Sequence, residues 1–210
     1  IFYPDQKFPD SISYEDLGKR FFSNYTYDSD IHMPLYSFLS YLMGGRVNLI
    51  FFDIFLSSLT SIYVYKISKI IFSSNSAILA FFIYIFYPYS IFYSLSGLTE
   101  TIYVFLIIFS FYQLYLKKIT TSILVLILSI YLRPTVEVFY PIIIILFLYL
   151  HDQMNLKKIL RTLSIYFICY FLFLSPWWYH NYLKYDNFVK LNLASGFVLY
   201  SGNNPLNSSG

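Results

Sequence analysis

Apolar residues run in long blocks from Val47 to Trp178, and the polar residues are gathered before and after them. A bilayer core of about 30 Å takes about 20 apolar residues as helix. Residues 47–65, 77–93, 99–116 and 159–178 fit that requirement and are read as spans. The block 120–150 is too long for one span and is interrupted by Arg133-Pro134. A proline beside a charge suits a turn at the membrane surface better than a kink in hydrocarbon. Two helices, 120–132 and 134–150, are therefore expected. Residues 34–43 are too short to cross and follow polar residues, which predicts an interfacial or re-entrant helix there. The pattern as a whole predicts an all-α, polytopic transmembrane helical bundle. About six helices would occupy 47–178, between a first outer loop with short interfacial helices (1–46) and a second outer-face loop (179–210).

Composition and charge extend this picture. Charged residues make up 12% of the chain, where a soluble domain carries about 25%. With six crossings, alternate turns hold Lys66/Lys69, Lys117/Lys118 and Lys157/Lys158/Arg161, while Arg46, Arg133, Lys184 and Lys190 stand scattered among acids on the other side. Close-packed cations mark the cytoplasmic side. Merging 120–150 into one span would put the Lys157 cluster outside, a second reason for the break. The N-terminal acids (Asp5, Asp10, Glu15, Asp16, Asp28 and Asp30) are then non-cytoplasmic. The net charge of +3 is spread along the chain, without the basic block that would bind nucleic acid. A single cysteine, Cys169, excludes an intramolecular disulfide and a cysteine zinc site.

Ionisable residues inside apolar blocks are costly and point to function. Asp53, Glu100, Arg133 and Glu137 all fall near the outer ends of their expected helices. A local alternative pairs Arg133 with Glu137 across the Pro134 turn. With Asp10 and His32 these residues suggest a polar cavity roofed by the N-terminal segment. A carboxylate there can act as general base and an arginine can hold phosphate. A group-transfer enzyme on that side would draw on a lipid-linked donor. A secondary transporter would place charges near the midplane and show related halves. A polyprenyl-linked glycan flippase or polymerase is the nearer alternative, although flippases generally need cations deep in a central cavity.

Several short motifs occur in order: Pro9-Asp10-Ser11 with Tyr14, His32-Met33-Pro34-Leu35-Tyr36, Leu98-Thr99-Glu100, Leu132-Arg133-Pro134-Thr135, Ser175-Pro176-Trp177-Trp178, Asn181-Tyr182 and the run from Ser195 to Pro205. Together they resemble the bacterial members of the protein-mannosyltransferase and aminoarabinose-transferase group, lipid-linked-sugar-dependent enzymes with the C-type glycosyltransferase fold. The resemblance covers nearly all 210 residues. Met33 replaces the first proline of the usual His-Pro-Pro, and His180 stands where many relatives have arginine before Asn-Tyr. The usual first span, later spans and any soluble C-terminal domain are missing from these residues, as expected of a partial chain.

The resemblance implies transfer of a sugar, with inversion, from a polyprenyl-phosphate donor to a lipid, glycan or protein acceptor. It further implies an integral bacterial inner-membrane protein with its site on the periplasmic or extracellular face. Asp10 is the implied base. Arg133 first and His180 second are the candidates for the donor phosphate. Glu100, His32 and Tyr14 are expected to orient substrate or the base. Asp28 and Asp30 are candidate ligands for a divalent metal, although paired loop carboxylates are more often solvated. Trp177 and Trp178 read as interface anchors, and Gly202-Asn203-Asn204-Pro205 as a turn. Asn24-Tyr25-Thr26 and Asn207-Ser208-Ser209 match the glycosylation pattern, which carries no weight in most bacteria.

Overall fold

A computed structural model describes residues 8–135, 137–151 and 155–204. Asp5, Pro205 and Asn207-Ser208-Ser209 lie outside the described residues. Among the described residues the chain is all-helical, with no strand. The helices are α1 (Pro9–Asn24), α2 (Pro34–Leu42), α3 (Arg46–Ile71), α4 (Ser74–Phe86), α5 (Pro88–Ser96), α6 (Glu100–Tyr115), α7 (Ile119–Ile130), α8 (Tyr140–His151), α9 (Leu156–Tyr185) and α10 (Ala194–Asn203). A 3-10 turn at Glu137–Phe139 leads into α8.

Among the described residues two helices are long and apolar enough to cross a membrane: α3 with 26 residues and α9 with 30. At 1.5 Å per residue they reach about 39 and 45 Å. The block 77–93, expected as one span, is broken at Pro88, so that α4 and α5 meet at 48°. The residue before a proline is pushed out of the helical region, and Tyr87 sits at φ −67°, ψ 118°. The bent pair counts as a third candidate span if it crosses as one. The block 120–150 divides at Arg133-Pro134 as the sequence suggests, but α6, α7 and α8 have only 16, 12 and 12 residues. α9 runs past Trp178 to Tyr185, so Asn181 and Lys184 are helical, not part of a loop. Pro176 sits inside it; apolar helices tolerate such a proline because neighbouring groups re-satisfy the freed carbonyl.

Packing follows from which faces are apolar. One core joins Ile123, Ile127 and Ile130 of α7 to Ile144 and Leu148 of α8 and to Tyr166, Tyr170 and Leu174 of α9. A second joins Leu49 and Leu56 of α3 to Ile102 and Leu106 of α6, closed by Tyr14 and Tyr36. Buried hydroxyls link the helices within these cores. The Ser110 and Ser122 hydroxyls lie 2.8 Å apart between α6 and α7, and those of Ser129 and Tyr140 lie 2.7 Å apart. Large apolar residues left exposed on α3, α4, α8 and α9, such as Phe55, Phe86, Leu146 and Leu172, form faces suited to lipid.

Among the described residues 8–45 there are two helices. Pro9 opens α1 at a position where its missing N–H costs nothing. Ser11, Tyr14, Leu17 and Gly18 form its buried stripe against α2. At Gly18 the backbones approach so closely that a Cβ would lie 2.2 Å from the Ser37 carbonyl oxygen. α2 is fixed in turn by the Leu35 N–H, which donates to the Tyr131 carbonyl at 3.1 Å. Gly18→Ala must therefore push α1 off α2. A loss of about 1–3 kcal/mol is expected, as for overpacking generally, and is checked by the thermal unfolding midpoint of the detergent-solubilised protein.

Candidate functional site

A cavity of about 900 Å³ opens at the end of the molecule where α1, the Arg133 turn and the loop after α9 converge. Its lining includes Asp10, Tyr14, His32, Arg133, Glu137 and Lys190. Asp10 stands in the first turn of α1, where the helix dipole favours a carboxylate. Its side chain is exposed and has no hydrogen bond or ion pair to any described residue.

Tyr14 and His32 form the wall beside Asp10. Their rings lie 4.5 Å apart, and Tyr14 also meets Tyr36 edge-on at 5.0 Å. Burial, followed by the nearby Asp10 charge, pushes the Tyr14 phenol up to about 12. Burial holds the His32 imidazole below its usual range, against the opposing pull of Asp10. Near neutral pH both rings are thus uncharged. The Ser29 hydroxyl accepts from the His32 backbone N–H at 2.9 Å and fixes the turn that carries the ring.

Two cations face the same space, each held by a carboxylate. Arg133 donates to Glu100 at 2.6 Å, which joins the α7–α8 turn to the start of α6. Lys190 donates to Glu137 at 2.5 Å. The other Glu137 oxygen accepts from Tyr170 at 2.5 Å, and the residue is buried. The local pairing of Arg133 with Glu137 is therefore not what forms; each takes a partner distant in sequence.

Lys190 reaches the cavity because its loop folds back on the helix end. Trp177 Nε1 donates to the Leu191 carbonyl at 2.7 Å, and the Asn181 amide donates to the Val189 and Leu191 carbonyls at 2.9 and 3.0 Å. The Leu193 N–H donates to the Asp30 carbonyl at 2.8 Å, and the Asn192 amide to that of Ile31 at 2.7 Å. Trp177 is thus a buried loop anchor and not an interface residue; Trp178 is partly buried against the same core.

Other expected residues lie elsewhere. His180 stacks on Trp177 at 5.0 Å, and its Nε2 lies 3.2 Å from the Tyr27 carbonyl. It lines a second cavity of about 440 Å³ with Arg20, Asp28 and Lys184. Asp28 and Asp30 both bind the Lys184 ammonium, at 3.0 and 2.8 Å. The Lys184 and Tyr185 hydrogen bonds hold the Asp30 carboxyl below its usual value. Among the described residues no three His, Cys, Asp or Glu side chains group as metal ligands. Asp53, on α3, is fully buried; one oxygen accepts from Tyr36 at 2.7 Å and the other has no partner among the described residues.

Lys190 is a charged cavity residue that no motif in the sequence marks. Its signal was indirect: a carboxylate at Glu137 inside an apolar block requires a cation. Comparison of the chain with protein-family models, with curated proteins and with solved structures yields no match.

Two outcomes follow from this geometry. In Lys190→Gln the buried Glu137 carboxylate keeps, of its described partners, only Tyr170, at an expected cost of about 1–3 kcal/mol, while Glu137→Gln/Lys190→Gln recovers most of the loss in chemical unfolding. For His32 the folded pKa lies below an unfolded value of about 6.5. The unfolded chain then binds more protons as pH falls through that window. The His32 contribution is complete above about pH 6.5 and declines below it. His32→Gln should flatten the unfolding midpoint against pH there, and carbon-labelled His32 should titrate below the free value by NMR.

Proposed function

We propose that this cavity is the active site of a membrane glycosyltransferase that takes a sugar from a polyprenyl-phosphate donor on the non-cytoplasmic face. The carrying observation is a carboxylate, Asp10, unpaired among the described residues and sharing one large cavity with two cations whose own carboxylates hold them in place. Pockets of about 300–1,000 Å³ are the usual size for small ligands. In this reading the chain is part of a polytopic bundle in the bacterial inner membrane, with α6, α7 and α8 as thin or tilted crossings.

The chemistry is a single displacement. Asp10 takes the proton of an acceptor hydroxyl as its oxygen bonds to the anomeric carbon, and the bond from that carbon to the phosphate oxygen breaks with inversion. The departing polyprenyl phosphate collects negative charge and is met by Arg133 and Lys190. Lys190 replaces His180 as the second phosphate cation, since His180 lines the other cavity. Tyr14 and His32, both uncharged, flank the base and supply hydrogen-bonding partners to a sugar or acceptor hydroxyl.

An apolar groove between α6, α7 and α8, lined by Ile107, Phe111, Leu126, Phe139 and Ile143, supports a lipid-linked donor. It begins beside Val138, which lines the polar cavity. The order of the motifs from Pro9-Asp10-Ser11 onward supports the same reading.

The test is transfer of radiolabel from polyprenyl-phosphate sugars by the reconstituted full-length protein, followed into lipid, glycan and protein fractions. Asp10→Asn should lower the rate at least about 10²-fold with the helical content unchanged. Retained transfer by this variant would sink the base assignment. Lys190→Gln should raise the apparent KM for donor, whereas His180→Gln should leave it near wild type; the reverse would return the phosphate to His180. No transfer with any donor would overturn the enzyme reading.

A further inference from the structure

The opposite end of the molecule has a basic cavity of its own. α6 ends at Tyr115, and Lys117 takes the left-handed conformation (φ 60°) to turn the chain into α7. The Lys117 and Lys118 N–H groups are bonded back to the Leu114 and Gln113 carbonyls at 2.8 and 2.9 Å, so the turn is ordered. α9 begins nearby at Leu156. Between the turn and α9 lies a cavity of about 370 Å³ whose polar lining is Lys117, Lys118, Thr120, Thr121, Lys158, Arg161 and Thr162.

Its charge balance differs from that of the other end. Lys19, Arg133, Lys184 and Lys190 each have a carboxylate within 2.5–3.0 Å. Lys117, Lys118 and Arg161 have none among the described residues, and no carboxylate is among the described residues lining the cavity. These three, with Lys158 beside them, place like charges from two elements around one cavity, and an anion from outside relieves their repulsion. The site also offers the first turn of α7, whose N-terminus no side chain caps, with the Thr120 and Thr121 hydroxyls beside it. Uncapped helix N–H groups, a guanidinium and two ammonium groups together match a phosphate.

We propose that this cavity binds the phosphate of an anionic phospholipid at the membrane surface opposite the Asp10 cavity. A lipid is favoured over soluble phosphate because the helices leading from the cavity carry exposed apolar residues along which acyl chains can lie. These are Leu124 and Leu128 on α7 and Leu160 and Ile168 on α9. Lys66 marks the same end, seated over the Tyr63 and Tyr112 rings at 5.2 and 5.4 Å. Basic pockets between helices on the cytoplasmic side are a recognised way to hold such headgroups. The site requires α9 to meet the bilayer surface near Leu156 and does not require sugar transfer at the other end, so either can fail alone.

The experiment reconstitutes the full-length protein in phosphatidylcholine nanodiscs that contain a photoactivatable phosphatidic acid, and maps labelled peptides. Labelling is expected around 117–124 and 158–168 and should fall at least about tenfold in Lys117→Gln/Lys118→Gln/Arg161→Gln. Lys117→Arg/Lys118→Arg keeps the charge and should keep the label. Excess inorganic phosphate should leave labelling intact, and displacement by it would assign the site to soluble phosphate and overturn the lipid. Equal labelling in the triple variant, or the same labelling by a photoactivatable phosphatidylcholine, would also overturn it. Circular dichroism on each variant separates loss of binding from loss of fold.

Discussion

The arrangement depends on one break in the chain, at Arg133-Pro134. A continuous helix over 120–150 would be about 46 Å long, with Arg133 and Glu137 one turn apart on one face. Arg133 would then neutralise Glu137 locally and nothing else would be drawn in. The break ends α7 at Ile130 and leaves the Tyr131 carbonyl to accept from Leu35, which seats α2. It also turns Arg133 toward Glu100 and drops Glu137 into the core against Tyr170. One proline thereby forces two charges to find partners on three other elements, and the cavity is the space between those partners.

The two ion pairs contribute differently. Arg133 and Glu100 are both partly solvated, so their attraction is screened and adds little to stability. Their effect is positional: Arg133 keeps further donors available, and the planar guanidinium is held facing the cavity. Glu137 is buried, and a buried carboxylate without a cation is expensive. That cost is what recruits the loop after α9. The loop is held for the purpose by Trp177 and Asn181 on one side and by the carbonyls of Asp30 and Ile31 on the other. Lys184, bonded to Asp28 and Asp30, reinforces the same junction from the exposed side.

The elements with local causes were legible in the sequence. Pro34 after His32-Met33 starts α2, and an arginine beside a proline in an apolar block ends α7. Pro88 had an equally local cause but sat in a block of acceptable span length, so the length criterion concealed the bend. Pro176 points the other way: it should have ended α9 by propensity, yet tertiary support carries the helix to Tyr185. Charge partners were the least legible feature. Glu100 had no cation near it in sequence, and its partner comes from 33 residues away; Glu137 finds Lys190 at a separation of 53. Only the folded path of the chain determines such choices. The same reason removes His180 from the Asp10 cavity: it is one turn beyond Trp177, on a face that the loop packing directs toward Tyr27.

This pattern of pairing explains why Asp10 is distinctive among the carboxylates of its cavity. Glu137 is committed to Lys190 and Tyr170, and Glu100, just behind the wall, to Arg133. Asp10 carries no such commitment, and its neighbours Tyr14 and His32 are kept uncharged by burial, so neither competes for its charge. The two cations of the cavity, meanwhile, are each held by another carboxylate, Arg133 by Glu100 and Lys190 by Glu137. The transfer proposed above needs both an uncommitted acid and anchored cations, because a proton would leave at one end while negative charge accumulates at the other.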